Sequence, residues 1–420
     1  MNAPATMEDA ARHAASVPLD AIDVSDPKLY QDDVWQPYFA RLRREDPVHY
    51  TAQSMYGPYW SVTKYRDIMQ VETSQQLYSS DMTLGGITLL DQPPEFRLPN
   101  FIAMDPPKHD EQRKVVSPIV APGNLQNMAG IIRERAAGIL DALPRNETFD
   151  WVDRVSVELT TQMLATLFDF PFEERRQLTH WSNVAICNIN APDAVVRSEP
   201  ERLAEMRKMA EAMITLWRER AQAPPRYDLI SMLAHGEATR DLPTRPHELM
   251  GTLLLLIVGG NDTTRNSISG GVWALNQNPD QYRKLRENAG LIPSLVPEII
   301  RWQTPVLYMR RTALADAVLG GKQIRKGDKL AMWYVSGNRD EDAIERADEF
   351  IVDRARPRQH LSFGFGIHRC VGNRLAELQL TILWEEILKR CPIIEVMGEP
   401  KRIYSSFIHG IAELPVRIPG

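Results

Sequence analysis

The chain has 420 residues and a formal net charge of −6, with acidic and basic side chains mixed along its whole length. This balance excludes the strongly basic composition of a nucleic-acid-binding protein and gives no basic surface for a membrane. Three scattered cysteines, Cys187, Cys370 and Cys391, do not make a disulfide framework, so we expect a reducing, cytoplasmic compartment.

Residues 1–16 are alanine-rich and polar, and we expect a loose tail or a short helix there. They lack the basic and apolar regions of a signal peptide. Residues 17–420 contain no Gly/Ser-rich or Pro-rich linker, which predicts a single large domain. The longest apolar run, Leu253 to Gly260, is far shorter than the roughly 20 residues of a membrane span, so none is expected.

The first third of the chain predicts a small β region beside a helix. An amphipathic helix begins near Trp35, and the alternating segments 48–51 and 59–62 are typical of a hairpin. Residues 79–104 combine Gly85-Gly86 and Pro93-Pro94 with apolar side chains. This stretch is too broken for a helix and too apolar for a solvated linker, and long loops of this kind are usually functional.

The next helix begins after Asp105-Pro106-Pro107, where an acidic residue and prolines favour a helix start. His109 and Arg113 lie four residues apart and share one face of it. By themselves they indicate only a solvated surface. Residues 125–222 predict further helices that form scaffold and a mobile lid, with no chemical motif of their own.

Residues 253–267, an apolar run followed by Gly259-Gly260-Asn261-Asp262-Thr263, allow two interpretations. A strand, a glycine turn and a helix would indicate nucleotide binding, although no Walker lysine follows. The alternative is one long helix over about 248–276. Each glycine inside such a helix costs about 1 kcal/mol relative to alanine, so we expect the two glycines to leave space for something.

The strongest motif surrounds Cys370, which precedes a predicted helix starting at Asn373. A helix N-terminus favours a thiolate over a thiol, which makes Cys370 a candidate nucleophile or metal ligand. Gly364 and Gly366 allow a flat group to approach the main chain closely. The dinucleotide-binding pattern fails, because its third glycine would fall on Arg369.

The pattern Phe363-Gly-x-Gly-x-His368-x-Cys370-x-Gly372 resembles the haem-binding loop of the cytochrome P450 superfamily of haem-thiolate monooxygenases. The resemblance implies that Cys370 is the thiolate ligand of the iron of haem b. It implies that Phe363 packs beside the sulfur and that Gly372 is one of the cofactor-binding residues. His368 would bind a haem propionate.

Three further motifs resemble the same superfamily in the same order. His109-x-x-x-Arg113 would bind a propionate, and Asp262 with Thr263 would deliver protons to oxygen. Glu298-x-x-Arg301, otherwise an ordinary helix ion pair, would hold the cysteine loop together with Arg354. In the strand after Pro305, Arg311 would be a further propionate partner, although the adjacent Arg310 is an alternative.

The implied fold is mainly α with a small β region, a triangular helical prism, and the implied reaction is R–H + O2 + 2e⁻ + 2H⁺ → R–OH + H2O. A ferredoxin and a ferredoxin reductase would supply the electrons, docking near basic residues beside the cysteine loop. The candidate docking residues are Lys108, Arg113, Lys114, Arg369 and Arg374.

Two other hypotheses for the function remain: a haem-thiolate sensor or oxygen-independent enzyme, and an α/β nucleotide-binding oxidoreductase.

Within the superfamily, residues 98–113, 256–267 and Met309-Arg-Arg-Thr-Ala are most similar to the bacterial alkane and fatty-acid terminal hydroxylases. Enzymes that oxidise sterol side chains or branched lipids share parts of the central-helix motif. We therefore expect ω-hydroxylation of a medium-chain alkane or fatty acid in a narrow apolar pocket. A plain hydrophobic core would supply similar residues. The candidate pocket residues are Leu84, Ile87, Leu255, Val258, Gly259, Val306, Leu307, Phe407 and Ile408.

Overall fold

The computed structural model describes residues 6–192 and 194–420. Helices dominate this part of the chain and short strands make up a small β region, as expected. The α-helices are α1 Met7–Ser16, α2 Pro27–Gln31, α3 Gln36–Glu45, α4 Tyr65–Thr73, α5 Lys108–Val116, α6 Pro122–Asp141, α7 Glu158–Phe168, α8 Arg176–Ile186, α9 Glu199–Gln222, α10 Leu229–His235, α11 Pro246–Gln277, α12 Pro279–Glu287, α13 Ile292–Gln303, α14 Tyr334–Gly337 and α15 Asn373–Arg390. The strands are β1 Val48–Thr51, β2 Tyr59–Val62, β3 Tyr78–Ser79, β4 Thr148–Asp150, β5 Tyr308–Ala313, β6 Ala317–Leu319, β7 Lys322–Ile324, β8 Lys329–Trp333, β9 Glu395–Val396, β10 Lys401–Arg402, β11 Ile411–Glu413 and β12 Pro415–Arg417. A π-helical segment, Val152–Val157, leads into α7.

The described part of the N-terminus is a packed helix and not a loose tail. The side chain of Thr6 caps α1 by accepting a hydrogen bond from the Asp9 amide. Ala10 and Ala14 are buried in the same apolar cluster as α3. Arg41 of α3 donates to the Ala14 carbonyl oxygen at 2.6 Å. The short helix of the sequence prediction is therefore correct for residues 7–16, whereas residues 1–5 lie outside the described part.

The main sheet has five strands in the order β1-β2-β8-β5-β3. The predicted hairpin is present, since β1 and β2 pair antiparallel with Val48 opposite Val62. β5 pairs antiparallel with β8, and Arg311 stands opposite Leu330. Successive side chains of β5 point to opposite faces of the sheet, which separates the roles of neighbouring residues on this strand.

Residues 246–277 form one continuous helix, so the strand-turn-helix interpretation is wrong and the long-helix interpretation is confirmed. At 1.5 Å per residue, α11 is about 48 Å long and runs through the main apolar core. Gly271 lets α13 approach closely, because a Cβ there would lie 2.8 Å from Cδ1 of Ile299. In the described part of the chain, no helix has the length and apolar character needed to cross a membrane.

Candidate functional site

A largely apolar internal cavity lies between α11 and the loop that carries Cys370. Its volume is about 250 Å³, much larger than the water-sized voids of ordinary protein packing. Helices α5, α7, α11 and α15, strand β5 and residues 362–372 all contribute to its wall. The elements that carry the sequence motifs therefore meet around one space.

The loop before α15 presents Cys370 to this cavity. The Cys370 amide donates to the Phe363 carbonyl oxygen at 2.8 Å, which closes the loop. Gly364 and Gly366 have φ values of +65° and +68°, in the left-handed region that favours glycine. A Cβ at Gly366 would overlap the carbonyl oxygen of Glu72. Cys370, Phe363 and Gly372 all line the cavity, as the motif predicts.

Cys370 does not have the lowered pKa that its place before a helix predicts. Burial raises the pKa of the thiol above its usual value. The backbone N–H groups of Gly372 and Asn373 and the charges of Arg113 and Arg369 act in the opposite direction without outweighing burial. A metal cation at the sulfur would oppose this shift and favour the thiolate.

Three predicted propionate ligands carry polar atoms that are buried and have no hydrogen-bond partner among the described residues. These atoms are Nε2 of His109, Nη1 of Arg113 and Nδ1 of His368. The two histidine rings lie 4.3 Å apart between centroids, so α5 and the cysteine loop bring the group together. Burial, Arg311 and His109 lower the pKa of His368 to about 2. Asp110 already pairs with Nδ1 of His109 at 2.7 Å, but the three unpartnered nitrogens have no acceptor among the described residues, and the carboxylates of a haem fit them.

Of the two adjacent arginines that the sequence offered as propionate partners, Arg311 faces the cavity and Arg310 does not. Arg311 lines the cavity and its Nη2 donates to Oε2 of buried Glu72 at 2.7 Å. Arg310 is on the opposite face of β5, where its Nη1 donates to Oδ1 of Asp91 at 2.5 Å. Strand alternation alone would have distinguished the two, once Met309 was placed in the cavity wall.

The predicted proton-delivery pair divides between the cavity wall and the interior behind it. Thr263 lines the cavity, and its Oγ1 donates to the Gly259 carbonyl oxygen at 3.0 Å. Asp262 is fully buried and is not part of the wall. Its carboxylate accepts from Ser182 Oγ at 2.6 Å and from Arg265 Nη2. The alcohol is therefore at the site, with the acid one residue behind it.

Four predicted pocket residues line the cavity: Ile87, Leu255, Gly259 and Val306. Five others do not, and those predictions are wrong for this structure: Leu84, Val258, Leu307, Phe407 and Ile408.

Each of these five misses has a local cause. Leu84 is exposed at the protein surface, and Leu307 belongs to the apolar cluster beneath the sheet, where Phe407 packs against it. Ile408 is buried beside Val306, and Val258 is on another face of α11.

Residues that the sequence analysis missed complete the apolar wall. On α11 the lining positions follow helical periodicity, which would have selected Leu256 in place of Val258. The contributions from other elements join distant parts of the chain and have no local signal. The missed apolar residues include Phe101, Met163, Leu167, Leu229, Leu256 and Met309.

The predicted charge cluster is formed and buried. Glu298 accepts from Arg301 Nη2 at 2.7 Å and from Arg354 Nε at 2.8 Å. Burial by itself would raise the pKa of Glu298, but hydrogen bonds and charge from Arg301 and Arg354 outweigh it and lower the pKa. Arg301 also donates to the Asn338 carbonyl oxygen, and the Asn338 side chain holds Leu361 and Ser362. Asn338, which the sequence analysis missed, connects this cluster to the cysteine loop.

Comparisons with known proteins agree on one family. Residues 43–416 match the family model of cytochrome P450. The structure of CYP153D17 from Sphingomonas sp. PAMC 26605 is similar at a TM-score of 0.89 and 51% identity, covering 96% of this chain and 100% of that one.

Two curated relatives are also similar along most of the chain. Linalool 8-monooxygenase of Pseudomonas putida is 36% identical over 95% of this chain and 99% of its own. A methyl-branched lipid omega-hydroxylase of Mycobacterium tuberculosis is 33% identical over 92% of this chain and 91% of its own. The expected prism fold is confirmed.

Proposed function

The chain belongs to the cytochrome P450 family, and we propose that it hydroxylates the terminal carbon of medium-chain alkanes or fatty acids. As a family member it is a haem b monooxygenase with a cysteine thiolate ligand, and it uses O2 on an apolar substrate. Cys370 is the proposed ligand, because it is the cysteine that lines the cavity.

The cavity residues divide into those that would hold the haem and those that would surround the substrate. His109, Arg113, Arg311 and His368 would bind the two haem carboxylates, and Phe363 would pack beside the sulfur of Cys370. Bound in this way, the haem supplies the oxygen activation that the side chains lack. The unpartnered nitrogens of His109, Arg113 and His368 support this assignment.

Protons would reach the site through Thr263. Its hydroxyl lies on the cavity wall and now donates to the Gly259 carbonyl oxygen, so a rotation about one side-chain bond would turn it inwards. Asp262 would resupply the proton from behind, where Ser182 and Arg265 hold its carboxylate. The overall reaction consumes two protons, R–H + O2 + 2e⁻ + 2H⁺ → R–OH + H2O, so a relay of this kind is required.

The apolar wall beside α11 is the observation that carries the substrate proposal. This wall is formed by Ile87, Leu255, Leu256 and Val306. The two arginines on the described wall, Arg113 and Arg311, are assigned to the haem carboxylates, as is the imidazole of His368. A hydrocarbon chain end needs no polar partner there, and its transfer from water into the apolar pocket is favourable. The omega-hydroxylase relative supports oxidation at a chain end.

Product analysis on n-octane, dodecanoic acid and a sterol tests the proposal. With a ferredoxin and its reductase as electron donors, we expect mainly ω-alcohols from the unbranched chains and none from Cys370→Ser. Mainly ω−1 to ω−3 alcohols, or turnover of the sterol alone, would contradict terminal hydroxylation. A branched lipid is the second candidate substrate, because the omega-hydroxylase relative is named for one.

The electron donor is a proposal that rests on surface charge. Lys114, Arg369 and Arg374 are exposed on α5, on the cysteine loop and at the start of α15, and would attract an acidic ferredoxin. Lys108 is exposed too, but it is paired with Glu248 at 2.8 Å. Replacing Lys114 and Arg374 with glutamate should slow reduction at low salt and leave the substrate-binding spectrum unchanged. A salt-independent rate, equal in variant and wild type, would place the docking surface elsewhere.

A further inference from the structure

Arg310 is a buried cation that serves the loop between β3 and α5, on the face of β5 away from the cavity. Its side chain is 3% exposed. Its Nη1 donates to the Thr88 carbonyl oxygen at 3.2 Å and to Oδ1 of Asp91 at 2.5 Å. Its Nη2 donates to the Leu84 carbonyl oxygen at 2.9 Å. One guanidinium therefore donates hydrogen bonds to three residues of a single loop segment, residues 84–91.

Backbone contacts lay the same segment along β5. The Arg310 amide donates to the Ile87 carbonyl oxygen at 2.8 Å. The Leu89 amide donates to the hydroxyl of Tyr308 at 3.0 Å, and the Leu89 side chain is fully buried. Between these anchors, the side chain of Ile87 reaches the cavity wall. The position of Ile87 in the cavity is thus set by its own backbone bond to β5 together with the side-chain contacts of Arg310 on the other face of the strand.

Gly85 is matched to the guanidinium of Arg310. Its φ of +114° lies where side chains are strained, and a Cβ there would overlap the guanidinium. The loop can close over Arg310 only because residue 85 has no side chain. Arg310 and Gly85 therefore form one contact that can be disturbed from either side.

We propose that Arg310 is a positioning residue for regioselectivity, which fixes residues 84–91 on β5 and so holds Ile87 against the substrate chain. This inference rests on the proposed function, since it concerns which carbon of an apolar chain reaches the reacting centre. Small displacements at such a wall have large effects, because neighbouring C–H bonds of one chain compete for the same position. Lysine cannot replace the arginine, because it lacks the planar fork that binds several acceptors at once.

The test compares two variants of the contact, Arg310→Lys and Gly85→Ala, with Arg43→Lys as the control. Arg43 is also a buried arginine, but it lies on α3, where its Nη1 donates to Ser336 Oγ at 3.2 Å. Hydrogen exchange of the peptide spanning residues 84–91 should be faster in both loop variants and unchanged in the control. The ratio of ω to ω−1 alcohol from n-octane should fall by about tenfold in both variants, at equal haem content. Unchanged exchange and an unchanged ratio would overturn the proposal.

A double-mutant comparison separates positioning from a general loss of structure. If Arg310 acts through Ile87, Ile87→Ala should change the product ratio by itself, and adding Arg310→Lys should then change it little further. Additive effects would show that Arg310 acts by another route and would refute the proposal. Thr312→Val is a milder variant, since Thr312 Oγ1 also donates to the Leu84 carbonyl oxygen at 2.9 Å, and it should shift the ratio in the same direction.

The wild-type products keep the two proposals distinguishable. A wild type that makes mainly subterminal alcohols would contradict terminal hydroxylation. The positioning role would still be decided by whether the variants redistribute those products relative to the wild type. If the wild type and all loop variants make mainly ω-alcohol in the same ratio, the proposed function is supported and the positioning role of Arg310 is refuted.

Discussion

Arg301 and Asn338 are joined by a hydrogen bond of 2.8 Å from Nη1 of the arginine to the carbonyl oxygen of the asparagine. The side chain of Asn338 continues the connection. Its Oδ1 accepts from the Leu361 amide at 2.6 Å, and its Nδ2 donates to Ser362 Oγ at 2.8 Å. The buried charge cluster thus reaches the start of the cysteine loop through one residue.

Asn338→Ala should weaken haem retention. The substitution leaves the Leu361 amide without a partner inside the protein, at a cost of about 1–3 kcal/mol. It also removes one hydrogen bond of the Ser362 hydroxyl, which still donates to the Ile300 carbonyl oxygen at 2.8 Å. We expect a lower haem content and faster haem transfer to an acceptor apoprotein, followed by absorbance. Asn288→Ala is the control, because Asn288 only caps an exposed turn. Equal transfer rates in the two variants would contradict a holding role for Asn338.

Glu298→Gln should lower stability near neutral pH and remove part of its pH dependence. The pKa of Glu298 is lowered in the folded protein, so its stabilisation is present above the ordinary carboxyl pKa of 4.5 and is lost as pH falls through the folded value. Because Arg301 and Arg354 would lose their buried counter-charge, we expect a loss of about 3–5 kcal/mol near pH 7. Urea unfolding at several pH values should show the gap between variant and wild type closing in acid. A gap that stays constant would argue against this assignment.

Thr263→Ala should bind substrate normally but waste reducing equivalents. The hydroxyl proposed to pass protons at the cavity wall would be missing, and hydrogen peroxide should replace alcohol as the main product. We expect the alcohol formed per NAD(P)H consumed to fall by at least about tenfold. Thr264→Ala is the matched control, because Thr264 also lines the cavity. If both variants kept the same coupling as the wild type, Thr263 would not be the proton donor.

Cys370→Ser should abolish the red-shifted Soret band of the reduced carbon monoxide complex. A serine hydroxyl is a poor substitute for a soft anionic sulfur ligand. Cys391→Ser should retain the band, since Cys391 is buried in the apolar core and does not line the cavity. The difference spectrum of each variant measures this. A normal spectrum in Cys370→Ser would remove that residue as the ligand.

The sequence could predict the parts of the site that lie close together along the chain. The pattern around Cys370 and the spacing of Glu298 and Arg301 concern neighbours on one loop or one helix turn, and both occur as expected. The long helix was predicted within two residues at its start and one at its end. Local chemistry and periodicity were sufficient for these features.

Contacts between distant segments were beyond the sequence. Asn338 gives no local signal, because its importance comes from meeting residues 301 and 361 in space. Phe407 looked suitable for the pocket because it is apolar, yet apolar residues serve cores and pockets alike, and here it packs against the cluster beneath the sheet. The pKa of Cys370 is raised for a related reason, since the desolvation of a sulfur that opens onto the cavity depends on the whole fold.

Gly251 gives the long loop between β3 and α5 a second fixed point, besides Arg310. A Cβ at Gly251 would overlap the backbone of Leu98 and Pro99, so the loop lies directly against α11 there. Ordering a free loop of this length around a ligand would cost a large conformational entropy. Because both anchors form when the chain folds, most of that entropy is lost before any substrate arrives. Binding a flexible hydrocarbon should then be opposed mainly by the loss of the hydrocarbon's own translational, rotational and torsional freedom.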